Sequence, residues 1–268
     1  MEKRILFNRY LAFTLSLLLS ITGVFAQTTD NNYTPQVAQE GKDVVWVPTP
    51  QVLVDTMLAM ANVTSADYVM DLGSGDGRLV ITAAKRGATA LGIEYNPDMV
   101  ELARRNAKEE GVSAKATFKQ ADIFETDFSK ATVITLFLLS ELNLRLRPVI
   151  LEMKPGTRIV SNTFGMSDWE PDQTTNLDEP VSWSTAHLWI VPAKVDGNWK
   201  LEGGQINFSQ KFQFVTGTLT MGDKVMELSG KLNGDKISFN AGGTEYTGTV
   251  SGNSISGSSG GGTWKATR

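Results

Sequence analysis

The stretch Val69-Met70-Asp71-Leu72-Gly73-Ser74-Gly75-Asp76-Gly77-Arg78 decides the fold of this chain. It begins in an apolar run that carries one acid, Asp71, and continues with glycine at three alternate positions. A helical pattern follows directly, from Leu79 to Ala84, and ends at Gly87. This order predicts a buried strand, a tight glycine turn and a helix. Such glycines let the backbone approach a ligand closely, and the free N–H groups at the helix start face that ligand.

The spacing of the glycines separates two classes of ligand. A dinucleotide site has the fingerprint Gly-x-Gly-x-x-Gly, which would place its third glycine at position 78. Position 78 is Arg78, and the third glycine comes one residue early. Asp71, just before the first glycine, would repel a pyrophosphate and suits a cationic group. S-Adenosylmethionine fits best, because its ammonium and sulfonium groups are both positive.

Two further acids end the next two predicted strands. Glu94 follows the apolar run Thr89–Ile93, where its carboxylate can accept hydrogen bonds from two ribose hydroxyls. Asp122 follows the run that begins at Ala116, where it can accept from an adenine amino group. A single acid of this kind is usually a solvated loop carboxylate. Acids that close three successive strands of a βαβαβ pattern predict an S-adenosylmethionine site.

Composition limits the remaining chemistry. The chain has 268 residues, 41% of them hydrophobic and 20% charged, which allows one large or two small globular domains. It has no cysteine, which excludes disulfides, thiolate metal sites and cysteine nucleophiles. Its single histidine, His187, excludes a histidine-based metal cluster and leaves a Ser-His-Asp relay formally open. His187 lies in the apolar run Ala186–Val191, which favours a strand histidine with satisfied hydrogen bonds.

The N-terminus predicts export. Three basic residues precede the apolar run Leu11–Phe25, and Val24-Phe25-Ala26 has small residues at the two positions that determine cleavage. The run is short for a bilayer span of about 20 residues. Residues 1–26 are therefore predicted to be a signal peptide, with a mature periplasmic or extracellular chain from about Gln27 and no membrane span after cleavage. An uncleaved N-terminal anchor is the alternative.

The charge distribution argues against a nucleic-acid partner. The net charge of the whole chain is −4, and the predicted leader carries three basic residues and one acid, so the rest has −6. Residues 205–268 have six basic and four acidic residues, which leaves −8 for residues 27–204. Nucleic-acid surfaces are basic. An acidic catalytic part tolerates or attracts a basic substrate, although the commoner meaning of such a charge is solubility.

The chain in order predicts an α/β domain over residues 44–204. Residues 27–43 are polar and are predicted to be a flexible lead-in. Thr49 and Pro50 have the pattern of an N-cap and a first helical residue. Strands then alternate with helices, which indicates a parallel sheet with helices on both faces. After a polar loop, residues 165–184, the strand from His187 is expected to form a hairpin with one that starts at Trp199.

Residues 205–268 have a different character. They contain 12 of the 25 glycines and several short alternating runs separated by turn residues. This pattern predicts a small antiparallel β meander of about six strands. It has no catalytic constellation, so the tail is interpreted either as a docking module or as a stabilising addition.

Residues 44–195 resemble a class I S-adenosylmethionine-dependent methyltransferase. More narrowly, they are similar to the small seven-strand protein-lysine methyltransferases related to the mitochondrial enzymes that modify the ring-forming component of ATP synthase and the adenine nucleotide translocator. The resemblance rests on Val47-Pro48-Thr49-Pro50, Asp71–Arg78, Gly92-Ile93-Glu94, Leu138-Leu139-Ser140-Glu141-Leu142-Asn143 and Asp168-Trp169-Glu170-Pro171. Phe137 stands where many relatives have tyrosine, and Ser140 where proline is common.

The resemblance implies a Rossmann-like seven-stranded sheet, S-adenosylmethionine as cofactor and a protein lysine as methyl acceptor. The implied cofactor-binding residues are Thr49, Asp71, Gly73, Ser74, Gly75, Asp76, Gly77, Glu94, Asp122 and Ile123. The implied catalytic residues, which would orient the amine or relay its proton, are Ser140, Glu141 and Asn143. Glu141 has a second interpretation as a helix-start acid that faces the helix dipole. Trp169 would either cover the acceptor or pack its loop.

Three alternatives remain at this point. Because S-adenosylmethionine is made in the cytosol, an exported chain could be a non-catalytic binding module that keeps the fold. An NAD-dependent oxidoreductase is disfavoured by Asp71 and Arg78. An envelope interaction protein would act mainly through its β tail.

Overall fold

A computed structural model describes residues 33–178 and 183–268. The predicted signal peptide, residues 1–26, lies outside this part of the chain. Within the described ranges, no helix is long and apolar enough to cross a membrane.

Seven strands form one sheet in the order β3-β2-β1-β4-β5-β7-β6. The strands are β1 Tyr68–Leu72, β2 Thr89–Glu94, β3 Ala116–Gln120, β4 Val133–Leu136, β5 Arg158–Asn162, β6 Gln173–Asn176 and β7 Thr185–Ile190. The helices of the same domain are α1 Gln51–Met60, α2 Arg78–Lys85, α3 Pro97–Glu109 and α4 Ser140–Ile150. Strands β1 to β5 pair in parallel, and β7 runs antiparallel to both β5 and β6.

Helices cover both faces of this sheet. The core on one face contains the buried residues of α1, α2 and α3, and the core on the other contains those of α4. Strands buried on both faces need continuous apolar runs, which is why β1 and β4 read as hydrophobic segments. The predicted Rossmann-like sheet with helices on both faces is confirmed.

The sequence prediction was wrong about the antiparallel edge. The predicted hairpin partner of β7, the strand β8 Gly197–Leu201, pairs instead with β9 and β15. The partner of β7 at the sheet edge is β6, which lies in the segment predicted to be a polar loop. Strand β6 has the sequence Gln-Thr-Thr-Asn and is largely exposed, so it carries no apolar alternation for a pattern to detect.

The C-terminal strands close into an eight-stranded antiparallel barrel, in the order β10-β11-β12-β13-β14-β15-β8-β9. Its strands are β8 Gly197–Leu201, β9 Gly204–Lys211, β10 Phe214–Met221, β11 Lys224–Asn233, β12 Lys236–Ala241, β13 Thr244–Ser251, β14 Ser254–Ser259 and β15 Gly262–Thr267. The predicted meander is therefore longer than expected and closed. The barrel also begins at Gly197, ahead of the boundary predicted after residue 204.

Close packing of backbone accounts for part of the glycine content of the barrel. A Cβ atom on Gly217 would lie 1.9 Å from the carbonyl oxygen of Asn207, and one on Gly257 would lie 1.8 Å from that of Thr247. Larger residues would push these neighbouring strands apart. Alternate residues, including Trp199, Phe208 and Phe239, fill the interior, so the barrel has a packed core.

The turn between β9 and β10 attaches the barrel to the α/β domain. The side chain of Gln213 is 1% exposed. Its Oε1 accepts from Trp169 Nε1 at 3.0 Å, and its Nε2 donates to the carbonyl oxygen of Glu170 at 2.8 Å. The Trp169 ring stacks on Phe212 at a centroid distance of 5.7 Å. Trp169 therefore packs its loop against the barrel, which was one of its two predicted roles.

Candidate cofactor and acceptor site

A cleft of about 980 Å³ lies beyond the carboxyl ends of the parallel strands, where open α/β sheets bind ligands. Nine of the ten predicted cofactor-binding residues line it: Thr49, Asp71, Gly73, Ser74, Gly75, Asp76, Glu94, Asp122 and Ile123. Residues 39–48, just before α1, form another wall. The cleft has the size typical of small-molecule sites, roughly 300–1,000 Å³.

The glycine turn is held under β2 in a conformation that other residues rarely adopt. Gly73 N and Ser74 N both donate to the carbonyl oxygen of Ile93, at 2.8 and 3.0 Å. The φ angles of Gly73 and Gly75 are +86° and +52°. A Cβ atom on Gly75 would lie 2.5 Å from Trp46 Nε1, so only glycine fits there.

Gly77 and the hydroxyl of Ser74 face away from the cleft. A Cβ atom on Gly77 would lie 2.7 Å from the ring of Phe118, so this glycine allows α2 to pack closely on the sheet. Ser74 Oγ is buried without a hydrogen-bond partner, and a Cβ atom on Gly92 would lie 2.5 Å from it. Of the turn residues predicted to bind cofactor, Gly77 is thus placed outside the cleft, and Ser74 lines it without an exposed hydroxyl.

Asp71 is a buried acid in the wall of the cleft, 3% exposed. Burial raises the pKa of its carboxyl to about 7, and the nearby charges of Glu94 and Asp76 act in the same direction. Thr135 Oγ1 donates to Asp71 Oδ1 at 2.6 Å, which opposes the shift. A carboxylate in this position gains most from a positively charged ligand, because such a ligand offsets the cost of ionising the acid.

Glu94 connects the end of β2 to the glycine turn. Gly75 N donates to Glu94 Oε2 at 3.0 Å, and Asn96 N donates to Glu94 Oε1 at 2.9 Å. Each carboxylate oxygen has further lone-pair capacity for a ligand hydroxyl. The geometry therefore lets Glu94 bind a diol while it still holds the turn.

Asp122 is paired with a residue that the sequence reasoning missed. Lys42 Nζ donates to Asp122 Oδ2, and this bond lowers the pKa of Asp122 below its usual value. Phe124 N donates to Asp122 Oδ1 at 2.9 Å. Lys42 also lies 5.1 Å from the centroid of the Tyr95 ring. The lead-in thus contributes to the wall of the cleft through an ion pair.

Asp76 forms an ion pair within the turn. Arg78 Nε and Nη2 donate to its two carboxylate oxygens at 3.0 and 2.5 Å. Arg78 Nη1 donates to the carbonyl oxygen of Thr49 at 2.7 Å. The residue that breaks the dinucleotide fingerprint therefore fastens the turn to the segment before α1.

The predicted capping role of Thr49 was wrong. Helix α1 begins at Gln51, and Pro50 is its N-cap residue without a side-chain cap. Thr49 is buried, and its hydroxyl accepts from Asn162 Nδ2 at 3.2 Å. The hydroxyl therefore joins the segment before α1 to the end of β5.

The structure does not bring the three predicted catalytic residues together at the cleft. Ser140 and Glu141 are exposed in the first turn of α4, and neither lines the cleft. Glu141 has the position of an acid facing the helix dipole. Asn143 is fully buried, and its Nδ2 donates to the carbonyl oxygens of Phe164 and Gly165 at 3.0 and 3.3 Å. Asn143 therefore holds the loop after β5.

Apolar side chains occupy the place predicted for those polar ones. Phe137, Leu138 and Leu142 line the cleft next to the end of β4. Phe137 contacts Phe164 and Trp183, two aromatic residues that the sequence reasoning missed. Phe164 was detectable, because it follows β5 just as Phe137 follows β4, and ligands bind beyond strand ends. Trp183 lies in the predicted polar loop, where no periodicity singled it out.

His187 has both ring nitrogens in hydrogen-bond contact. Nδ1 lies 2.9 Å from Thr174 Oγ1, and Nε2 lies 3.2 Å from the carbonyl oxygen of Thr163. Nε2 must carry the proton, since a carbonyl oxygen only accepts. Partial burial lowers the pKa of His187. These partners are those of a structural strand histidine.

The donor set fits S-adenosylmethionine. Asp71 provides a buried acid for a cationic group, and Glu94 provides acceptors for a diol. The turn at Gly75 leaves no room for a side chain between the backbone and the cleft. These features match the two ends and the middle of a sulfonium nucleoside with an amino-acid tail.

Comparisons with known proteins agree with this geometry. The family described as the ANTKMT methyltransferase domain matches residues 71–173. A protein-lysine N-methyltransferase of Saccharolobus islandicus is 40% identical over 151 residues, which are 55% of this chain and 94% of the relative. A Rattus norvegicus lysine N-methyltransferase named for a component of ATP synthase is 32% identical over 170 residues, which are 61% of this chain and 78% of the relative.

One solved structure is also similar. The RNA methyltransferase from Salinibacter ruber in complex with S-adenosyl-L-homocysteine is 48% identical, with a TM-score of 0.53, over 56% of this chain and 96% of that chain. The protein is therefore an enzyme that uses S-adenosylmethionine, and the oxidoreductase alternative is excluded. The chain belongs to the S-adenosylmethionine-dependent methyltransferases, in the family of the ANTKMT methyltransferase domain.

Proposed function

We propose that this methyltransferase acts on a lysine side chain of a protein substrate. The observation that carries this proposal is the Saccharolobus islandicus protein-lysine N-methyltransferase, which is 40% identical and aligned over 94% of its length. The apolar wall of the cleft supports it. Desolvation by Phe137, Leu138 and Leu142 favours the neutral form of an amine, which is the form that attacks.

The chain's own residues mainly position and desolvate the reactants. When bound, S-adenosylmethionine supplies a methyl carbon on a sulfonium, so that a C–N bond forms as the C–S bond breaks, sulfur keeps the electron pair and the amine releases a proton. Asp71 holds the cationic end of the cofactor, and Glu94 holds its ribose. The apolar wall excludes water from the acceptor, which strengthens every electrostatic contact.

An RNA acceptor is the second candidate, since the similar Salinibacter ruber protein is described as an RNA methyltransferase. The charge of this chain argues against it. Residues 27–204 carry a net charge of −8, which would repel a phosphate backbone. Incubation of the full chain with labelled S-adenosylmethionine and separate protein and RNA fractions distinguishes the two. We expect label in protein hydrolysates as methylated lysine, and label confined to RNA would refute the lysine proposal.

We also propose that the protein works outside the cytoplasm. Support comes from residues 1–26, whose basic start, apolar run and small residues have the form of a signal peptide. Fractionation of the producing cell, followed by N-terminal sequencing, tests this proposal. A mature N-terminus near Gln27 in the periplasm or medium supports it. An uncleaved chain in the membrane fraction would indicate an anchor, and one in the cytosol would refute export.

A further inference from the structure

Three aromatic rings meet next to the cofactor cleft. The ring centroids of Phe137 and Phe164 are 6.1 Å apart, and those of Phe137 and Trp183 are 5.7 Å apart. Phe164 and Trp183 complete the set at 5.6 Å. We call these three residues the aromatic trio. Because Phe137 also lines the cleft, the trio is continuous with the cofactor site.

The trio lies where the sheet presents ligands. Phe137 follows β4, which ends at Leu136, and Phe164 follows β5, which ends at Asn162. Parallel strands β4 and β5 are neighbours, so both rings lie beyond the same edge of the sheet. This is the side of the cleft that is away from the three acids of the cofactor wall.

Buried polar groups fix the Phe164 end of the trio. The carbonyl oxygen of Phe164 accepts from Asn143 Nδ2 at 3.0 Å and from Ser161 Oγ at 2.7 Å. Both donors are fully buried. Two hydrogen bonds from within the core to one loop carbonyl make the position of this ring a supported feature of the fold.

Trp183 has features that folding alone does not explain. Its side chain is 39% exposed, and its φ angle is +62°, a left-handed conformation that is unfavourable for a bulky residue. An exposed aromatic in a costly conformation gains little for stability. Strained residues of this kind concentrate at ligand sites.

We propose that the aromatic trio is the docking site of the acceptor side chain, which arrives as an alkylammonium ion. This inference rests on the proposed lysine acceptor. Aromatic faces attract cations through their quadrupole, and the ring edges contact the alkyl stem. The net charge of −8 over residues 27–204 draws a basic side chain to this domain. The cation loses its proton before transfer, and the rings, which are not acids, do not hold that proton in place.

Binding of a small probe to the full chain tests the trio without knowledge of the acceptor. The protein is first saturated with S-adenosyl-L-homocysteine, and n-butylammonium is then titrated by saturation-transfer NMR, with n-butanol as the uncharged comparison. Trp183→Leu removes the indole, and Trp183→Phe restores an aromatic face. Phe214→Leu is the matched control, because Phe214 is 40% exposed and lies on the barrel.

We expect Trp183→Leu to weaken n-butylammonium binding about 10-fold, with n-butanol changed much less and Trp183→Phe close to the parent. Phe214→Leu should change neither. Equal loss of both probes would reduce the trio to apolar packing and overturn the proposal, as would unchanged ammonium binding. If Trp183→Leu fails to bind S-adenosyl-L-homocysteine, Phe137→Leu takes its place.

Failure of the lysine proposal is visible separately. If the protein fraction contains no methylated lysine while n-butylammonium still binds at the trio, the acceptor assignment is wrong and the cation site stands. If methylated lysine forms and Trp183→Leu leaves the acceptor KM unchanged, the trio assignment is wrong and the lysine function stands.

Discussion

Gly75 and Glu94 are joined by a hydrogen bond of 3.0 Å, in which the glycine N–H donates to the carboxylate at the end of β2. The turn that approaches the cofactor and the acid that reads its ribose therefore form one unit. A change at either residue moves the other. The cofactor site is thus organised by contacts between strands β1 and β2 as well as by the local glycine motif.

Replacement of Glu94 tests this unit. Glu94→Ala removes both the ribose acceptor and the anchor of the turn, so we expect the Kd for S-adenosyl-L-homocysteine to rise at least 10-fold. Glu94→Gln keeps one acceptor oxygen and should lie between the two. Calorimetric titration of the full chain measures all three. Glu141→Gln, an exposed change outside the cleft, is the control, and an equal effect of both substitutions at Glu94 and at Glu141 would contradict the assignment.

Cofactor affinity should depend on the pKa of Asp71. That pKa is raised to about 7, so the acid of the free site is protonated at lower pH and cannot pair with the ligand ammonium. We therefore expect the Kd to rise as the pH falls from about 7 to about 5, by up to about 10-fold per pH unit. Asp71→Asn should bind weakly and lose most of this dependence. A Kd that is flat over this range in the parent protein would contradict the role of Asp71.

The same acid should affect stability in the opposite sense. The raised pKa of Asp71 means that the folded state holds its proton more tightly than the unfolded state, so its contribution to stability is lost as the pH rises from about 4 through 7. At about pH 8, Asp71→Asn should raise the free energy of unfolding by roughly 1–3 kcal/mol, because it removes a buried charge and can still accept from Thr135.

Denaturant unfolding of the ligand-free protein at about pH 4 and about pH 8 measures this effect. The gain should be much smaller at the lower pH, where the parent acid is protonated. A variant that is less stable than the parent at both pH values would show that the carboxylate is satisfied without a ligand.

Gln213 should be the most costly polar residue to lose at the barrel contact. Its amide group bonds to both Trp169 Nε1 and the carbonyl oxygen of Glu170, so Gln213→Ala leaves two buried groups without partners. We expect a loss of roughly 2–4 kcal/mol in the free energy of unfolding. Gln205→Ala, an exposed change on β9 of the same barrel, should cost less than about 0.5 kcal/mol. Equal effects would mean that the contact contributes little to stability.

The cofactor wall was predictable because its signal is local. Strand, glycine turn and helix follow one another within residues 68–85, and acids at strand ends mark a single edge of the sheet. Asp71, Glu94 and Asp122 all lie in the cleft for this reason. The pairing of Asp122 with Lys42 was not predictable, since it joins residues 80 positions apart in a segment without periodicity.

The acceptor side was not predictable, because it depends on how α4 is rotated and on which loops fold back. Asn143 and Glu141 are two positions apart on α4, yet one is fully buried and the other exposed. Barrel closure also has no local signal, since it requires β15 to pair with β8, some 60 residues earlier. The polar edge strand β6 carries no pattern at all. Tertiary contacts decided each of these features.

Calorimetric titration of the full chain with S-adenosyl-L-homocysteine, with NAD as competitor, tests the central claim most directly. The account predicts saturable binding with a Kd near or below about 10⁻⁵ M, which NAD does not displace. Absence of heat at millimolar ligand, equivalent to binding weaker than about −4 kcal/mol, would contradict the cofactor site. Displacement by NAD would contradict the interpretation of Asp71 and Arg78 as features that exclude a dinucleotide.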